Sequence, residues 1–274
     1  CLSEKRPLIL KPPSIEPHFG RIFVESVLHE YHELSAVLKC LPIASNDSLS
    51  IKNAVDTCDT IVVYGDDSTI EKVRLISTGK NFLPNGNMAS FGFIDSEALS
   101  RERIDETATL AAYDVAMYDQ QGCLSPHAYF VEADYKTASA FAKKLFEKLE
   151  SLENRVPIGR IPADRQFLLR KFIEDWRLKS LMDKRIRMFQ RKDSVTNSVI
   201  LDPSPETYLS PNFRVVLVKP VVSVPEMLRS LLPFQKRIKG LSTTSSPARL
   251  ENAIKSCDFL SPEIITGHGD LQYY

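Results

Sequence analysis

The chain has 274 residues, 43% hydrophobic and 26% charged, which is ordinary for a folded globular protein. Lys plus Arg equals Asp plus Glu at 35 each, and this zero formal charge argues against a general nucleic-acid binder, whose footprint is a basic excess. The longest apolar runs, such as Pro7-Leu8-Ile9-Leu10 and Val215-Val216-Leu217-Val218, are strand-sized and far short of the roughly 20 residues that span a membrane.

Residues 1–95 alternate β-rich runs with helical patterns. Strands are predicted at Pro7–Lys11, Val37–Ile43, Thr60–Tyr64 and Ala89–Ile94, with helices at Phe19–Glu33, Ser48–Thr57 and Ser68–Ser77 between them. This alternation implies βαβ units and a largely parallel sheet, whose ligands bind at the carboxyl ends of the strands. Two of those ends carry Lys11-Pro12-Pro13-Ser14 and Tyr64-Gly65-Asp66-Asp67-Ser68-Thr69.

A helix from Ser96 to about Ala116 follows, and a second α/β unit begins around Cys123 with a strand at His127–Glu132. Ala138, Phe141, Ala142, Leu145, Leu149 and Leu152 then recur at helical spacing as one apolar stripe. The charged stretch Ala163–Lys192 reads as a solvated helix pair. Strands follow at Ser198–Leu201 and Arg214–Val218, a helix near Val224–Leu232, and loops at Asp202-Pro203-Ser204-Pro205 and Ser242–Pro247. Residues 256–274 have no assigned structure.

The five cysteines, Cys1, Cys40, Cys58, Cys123 and Cys257, are odd in number and widely spaced. With no CxxC pair, neither a metal site nor a disulfide framework is expected, and a reducing cytoplasm is the simplest setting. Cys1 stands where a Met would begin a complete chain, so the sequence is a candidate fragment. Cys123 differs from the other four: it follows Gly122 in the polar turn Tyr118–Pro126, between a helix and a strand. A nucleophilic thiol needs such access, and glycine lets backbone N–H groups approach a developing oxyanion. A lone cysteine is otherwise more often an inert packed residue.

The order strand–Lys-Pro, strand–Gly–helix, then Gln-x-Gly-Cys–strand–amphipathic helix resembles the aldehyde dehydrogenase superfamily. Within it, Asp119-Gln120-Gln121-Gly122-Cys123-Leu124-Ser125-Pro126 and Tyr129-Phe130-Val131-Glu132 are similar to the fatty acyl-CoA reductases of bacterial luminescence operons. The resemblance runs from about Leu8 to Leu152 and more faintly through Val222. It implies an α/β aldehyde-dehydrogenase-like fold, with residues 1–95 as part of a Rossmann-like cofactor domain and residues 96–255 as the catalytic domain. It also implies that Cys123 attacks the acyl carbon and that the chain reduces acyl-CoA, with a fatty acyl group, to aldehyde.

By the same resemblance Lys11 and Gly65 are the cofactor-binding lysine and glycine. Ser14 stands where NAD-preferring relatives often carry Glu, which is compatible with NADPH. Asp66 joins them at the strand end, although Asp66 and Asp67 depart from the usual Ser and Thr and suit helix capping better than diphosphate contact. In the block Phe82-Leu83-Pro84-Asn85-Gly86-Asn87, Leu83 aligns with the Glu that activates water in hydrolytic members. No carboxylate is present there, which favours acyl exchange with a thiol. The family's oxyanion-binding asparagine would precede Cys1. A homo-oligomer, or a complex with acyl-transfer proteins, is the expected assembly. The alternatives are a short-chain aldehyde or semialdehyde dehydrogenase, or a non-catalytic subunit of the same fold. His127 reads as a strand histidine, and His268 fits either a functional loop or a tail.

Overall fold

A computed structural model describes residues 6–14, 16–256 and 262–271. Two compact units divide the chain, Cys1–Gly86 and Asn87–Tyr274. The division therefore falls ahead of the strand Ala89–Ile94, which belongs to the sheet of the second unit and not to the first.

The first unit contains β1 (Leu8–Leu10), α1 (His18–Glu30), β2 (Leu38–Cys40), α2 (Ser48–Asp56), β3 (Thr60–Tyr64), α3 (Asp67–Ile76) and β4 (Asn81–Asn85). Each strand pair is parallel and joined through a helix, as the alternation predicts. The pairs form two separate two-stranded sheets, β1-β2 and β3-β4, where the sequence suggested one. The strand β4 runs through most of the block Phe82–Asn87, where no strand was expected. Its Pro84 is tolerated because β4 pairs with β3 alone, so the missing N–H falls on an edge. Val55, Ile61, Val63 and Ile70 form the small core of this part.

The second unit is three-layered. Its seven-stranded sheet has the order β11-β10-β5-β6-β9-β8-β7. The strands are β5 (Ala89–Ile94), β6 (Pro126–Glu132), β7 (Arg187–Phe189), β8 (Ser198–Leu201), β9 (Val215–Val221), β10 (Ile238–Thr243) and β11 (Ile264–Gly267). Every pairing is parallel except that of β7 with β8. Alternate residues serve the two faces, as the pleat requires. Ala128 and Phe130 of β6, with Val215 and Leu217 of β9, face one core; Tyr129, Val131, Val216 and Val218 face the other. Strands buried on both faces in this way read as continuous apolar runs.

The helices α4 (Ile104–Ala116) and α5 (Tyr135–Glu153) cover the Tyr129 face. In α5, Asp134 caps the Thr137 N–H at 2.8 Å, and Ala138, Phe141, Ala142, Leu145 and Leu149 are buried, as the stripe predicts. The other face is covered by α6 (Ala163–Met182), α7 (Val224–Ser230) and α8 (Pro247–Lys255). Here the expectation of a solvated helix pair fails. Ala163–Met182 is one helix that buries Leu169, Ile173 and Trp176, three apolar residues spaced i, i+4, i+7 among charges. The stretch after it supplies the short antiparallel edge strand β7, Arg187-Met188-Phe189, with charged residues on either side, where charge discourages further pairing. The expected loop at Ser242–Pro247 shortens, because β10 continues to Thr243. The unassigned C-terminal segment supplies β11. No described helix is long and apolar enough to cross a membrane.

Candidate active site

Cys123 is exposed at the tip of a turn that delivers the chain into the amino end of β6. The Ser125 N–H donates to the Gly122 carbonyl at 3.0 Å and closes the turn, and the Cys123 carbonyl accepts the Ser90 hydroxyl at 2.9 Å. Among the described residues the other thiols, Cys40 and Cys58, are half-buried in the first unit. Cys1 and Cys257 lie outside the described residues.

The segment leading into this turn is strained. Tyr118, Asp119 and Gln120 have φ of 52°, 52° and 61°, three consecutive left-handed residues without a glycine. Such conformations cost of order 1–3 kcal/mol each and persist only where surrounding bonds over-determine them. Those bonds are present. Asp119 accepts the Gly159 N–H at 2.9 Å and the Arg214 guanidinium at 2.8 Å through its two carboxylate oxygens, while its carbonyl accepts the Phe213 N–H at 3.0 Å. Gln120 is buried and donates its side-chain amide to the carbonyls of Pro126 and Val215, both at 2.8 Å.

The partner segment is strained in the same sense: Asn212, Phe213 and Arg214 have φ of 70°, 55° and 61°. Arg214 is fully buried and also reaches Glu153 at 3.2 Å and the Val156 carbonyl at 2.8 Å. A buried guanidinium is tolerable only when carboxylates and carbonyls replace its water, and this one binds two carboxylates and one carbonyl. Two unfavourable backbone runs thus clamp each other and fix the approach to Cys123.

His127, on β6, does not provide a charged partner for the thiol near neutral pH. Burial brings its pKa down to about 4, so the imidazole is neutral, and the ring lies 6.4 Å from that of Phe91. His268 is buried in the turn after β11. Its Nε2 bonds the Phe93 carbonyl at 3.0 Å, its Nδ1 lies 3.4 Å from the Ser242 hydroxyl, and burial lowers its pKa to about 4. Between the loop and tail readings, the structure makes it a fastening of β11 to the sheet.

The cofactor candidates all fall in the first unit, at carboxyl ends of parallel strands. Lys11 follows β1, is exposed, and bonds the Pro12 carbonyl at 3.2 Å. Ser14 bonds Ser45, hydroxyl to hydroxyl at 2.6 Å, and accepts the Ser45 N–H at 3.0 Å, which ties the loop after β1 to the one after β2. Gly65 follows β3, where a Cβ would come within 2.9 Å of Thr69 Cγ2, so only glycine lets α3 begin this close to the strand. Asp66 caps α3, accepting the Thr69 N–H at 2.7 Å and the Ser68 hydroxyl at 3.0 Å. Those bonds hold its carboxyl below the usual range. Leu83 sits on β4 with its side chain about half exposed.

Sequence reasoning missed Arg214 and Ser90. Arg214 was legible only as the start of a strand, and no local signal marked either residue.

A family model described as acyl-CoA reductase (LuxC) matches residues 2–271. The chain belongs to that family. The long-chain acyl-protein thioester reductase of Photobacterium phosphoreum is 25% identical over 160 residues, which cover 57% of this chain and 31% of that protein. Solved aldehyde dehydrogenases share the fold. A gamma-glutamyl-gamma-aminobutyraldehyde dehydrogenase from Burkholderia cenocepacia superposes with a TM-score of 0.70 at 16% identity, covering 96% of this chain and 54% of that one. An indole-3-acetaldehyde dehydrogenase in complex with NAD+ gives 0.71 at 13% identity, over 96% and 55%. The chain spans about half the length of these dehydrogenases and less than a third of the Photobacterium protein. The α/β aldehyde-dehydrogenase fold and the kinship with luminescence-type reductases expected from the sequence are both borne out.

Proposed function

We propose that this chain carries the cofactor-binding and nucleophilic parts of an NADPH-dependent reductase that converts fatty acyl-CoA thioesters to aldehydes. The observation that carries the reading is the exposed Cys123 on a braced, glycine-preceded turn, in a chain of the acyl-CoA reductase family. The Cys123 thiolate attacks the acyl carbonyl carbon, the new C–S bond forms, and the CoA sulfur leaves as thiolate and takes up a proton. Backbone N–H groups of the turn stabilise the oxyanion as it develops. Lys11, Ser14, Gly65 and Asp66 would hold the nicotinamide cofactor, which when bound would supply the hydride that reduces the acyl carbon. The resulting thiohemiacetal collapses, its C–S bond breaks, and aldehyde departs while the Cys123 thiolate is restored.

In the first unit, Gly65 lets α3 begin directly behind β3, and the N-terminus of that helix suits a diphosphate. Asp66 contributes by fixing that helix end. Lys11 and Ser14 serve the adenosine ribose, where a lysine without a neighbouring carboxylate favours a 2′-phosphate. The parent protein should therefore bind NADPH more tightly than NADH, and Lys11→Ala should weaken NADPH binding by roughly 1–3 kcal/mol, more than it weakens NADH. Equal affinity of the parent for both nucleotides by calorimetry would refute this preference.

The experiment for the reaction class is product analysis in reverse. With Leu83 at the position of the water-activating residue, the thioacyl enzyme lacks a base for hydrolysis and waits for a thiol. Given aldehyde and NADP+, the enzyme should form acyl-CoA when CoA is present and little free acid when it is absent. Free acid as the main product under saturating CoA would identify a hydrolytic aldehyde or semialdehyde dehydrogenase instead. Reduction of an acylated protein in place of acyl-CoA, as the name of the Photobacterium relative describes, would shift the thioester donor but not the chemistry at Cys123.

A further inference from the structure

Ser90 lies at an unusual point in the central sheet. Its neighbour β6 pairs Ser90 with Pro126 but Phe91 with Ala128, so His127 is an extra residue on that side. On the other side β10 pairs Ile238 with Ala89 but Leu241 with Phe91, which leaves Lys239 and Gly240 opposite one residue. Both flanking strands therefore bulge at Ser90. Bulges of this kind re-aim neighbouring groups and recur beside active sites.

The fully buried Ser90 hydroxyl makes use of both irregularities. It donates to the Cys123 carbonyl at 2.9 Å and accepts the Gly240 N–H at 3.0 Å. The hydroxyl proton and one acceptor site are thereby occupied in a fixed direction. Gly240 has no room for a side chain: a Cβ there would come within 2.9 Å of Leu124 Cδ2 and 3.2 Å of Ser90 Oγ. Leu124, the residue after the nucleophile, is thus packed against the same glycine that anchors Ser90. Because a peptide group is planar and trans, fixing the Cys123 carbonyl also fixes the Leu124 N–H on the opposite side.

We propose that Ser90 is a positioning residue for the Cys123 reaction. By tying the Cys123–Leu124 peptide to the β10 bulge, it sets the direction of the thiol and of the Leu124 N–H relative to the acyl carbonyl. The assignment rests on Cys123 being the nucleophile. A displacement of about 1 Å at such a centre costs on the order of a hundredfold in rate.

The test compares parent, Ser90→Ala and Ser198→Ala in the intact chain, by single-turnover acylation with a fatty acyl-CoA without nucleotide. Adducts are assigned to Cys123 by peptide mapping, and alkylation by iodoacetamide runs in parallel. Ser198 is also a fully buried strand hydroxyl, bonded to the Val195 and Thr196 carbonyls, and serves as the control for loss of a buried hydroxyl. Ser90→Ala should acylate ~100-fold more slowly at saturating donor, with half-saturation little changed. Alkylation by the small reagent, which needs no oriented carbonyl, should fall much less. Ser198→Ala should acylate at the parent rate. No Cys123 adduct in the parent would defeat the catalytic reading itself, whereas a parent adduct with unaltered acylation in folded Ser90→Ala would overturn only the role of Ser90. Should Ser90→Ala not fold, Ser90→Cys, which is slightly larger and keeps a weak donor, replaces it and should show the same selective loss. An unfolded Ser90→Cys would confine Ser90 to stability and equally overturn the proposal.

Discussion

Cys123→Ala should abolish the covalent acyl adduct and lower aldehyde formation by on the order of 10⁴-fold or more, the scale on which removal of a nucleophile acts. The protein should remain folded, because the thiol is exposed and its carbonyl, not its side chain, makes the hydrogen bond to Ser90. Intact-protein mass spectrometry after incubation with a panel of acyl-CoAs would show one acyl mass added to the parent and none to the variant. Replacing Cys40 or Cys58, half-buried in the first unit, should leave the adduct unchanged, and the same is expected for Cys257, which lies outside the described residues. An adduct persisting in Cys123→Ala, or turnover at the parental rate, would end the thioacyl mechanism. The panel also ranks acyl chain lengths, which no residue spacing reveals.

Arg214→Ala should be the most damaging substitution for stability. It removes a fully buried guanidinium and leaves Asp119 and Glu153, only 18% and 27% exposed, facing each other's side of an empty site. Breaking a buried pair by deleting one partner costs about 3–5 kcal/mol, since the remaining charge is uncompensated. Here the loss also releases the two left-handed runs at Tyr118–Gln120 and Asn212–Arg214 from their mutual clamp. Urea denaturation should show the midpoint falling by an amount that corresponds to this range, and acylation of Cys123 should slow even where the protein is still folded. Adding Asp119→Asn to the variant should recover part of the loss by removing one stranded charge. A change below about 1 kcal/mol would place Arg214 among exposed ion pairs of little consequence, contrary to its burial.

The sequence disclosed those features that repeat locally. β3, α5 and the paired runs of β8 and β9 lie where their apolar spacing puts them. Cys123 stood out because glycine and polar residues surround it, and the turn there is the one anticipated. β4, β7, β10 and β11 were missed for separate reasons. Pro84 disguised β4, charge disguised β7, and Gly240 with Ser242 and Thr243 made β10 look like a loop. The strand β11 owes its place to pairing with β10 more than to its own short run. What braces the cysteine was out of reach for another reason. The bonds Arg214–Asp119 and Ser90–Cys123 join residues 95 and 33 positions apart, and one uncommon backbone region recurs on residues that give no warning of it.

The strand order has a consequence for how the chain is made. The central pair β5–β6 emerges early and is extended on one side by β9, β8 and β7. On its other side β5 pairs with β10, which begins only at Ile238, and the sheet is finished by β11 at Ile264–Gly267. A nascent or prematurely ended chain therefore displays the edge of β5, every residue of which is buried in the finished protein. An open apolar edge is a template for pairing with another chain. Synthesis of this chain thus depends on β10 and β11 arriving before a neighbour does, and a truncation before Ile238 should yield aggregate and not a smaller folded domain.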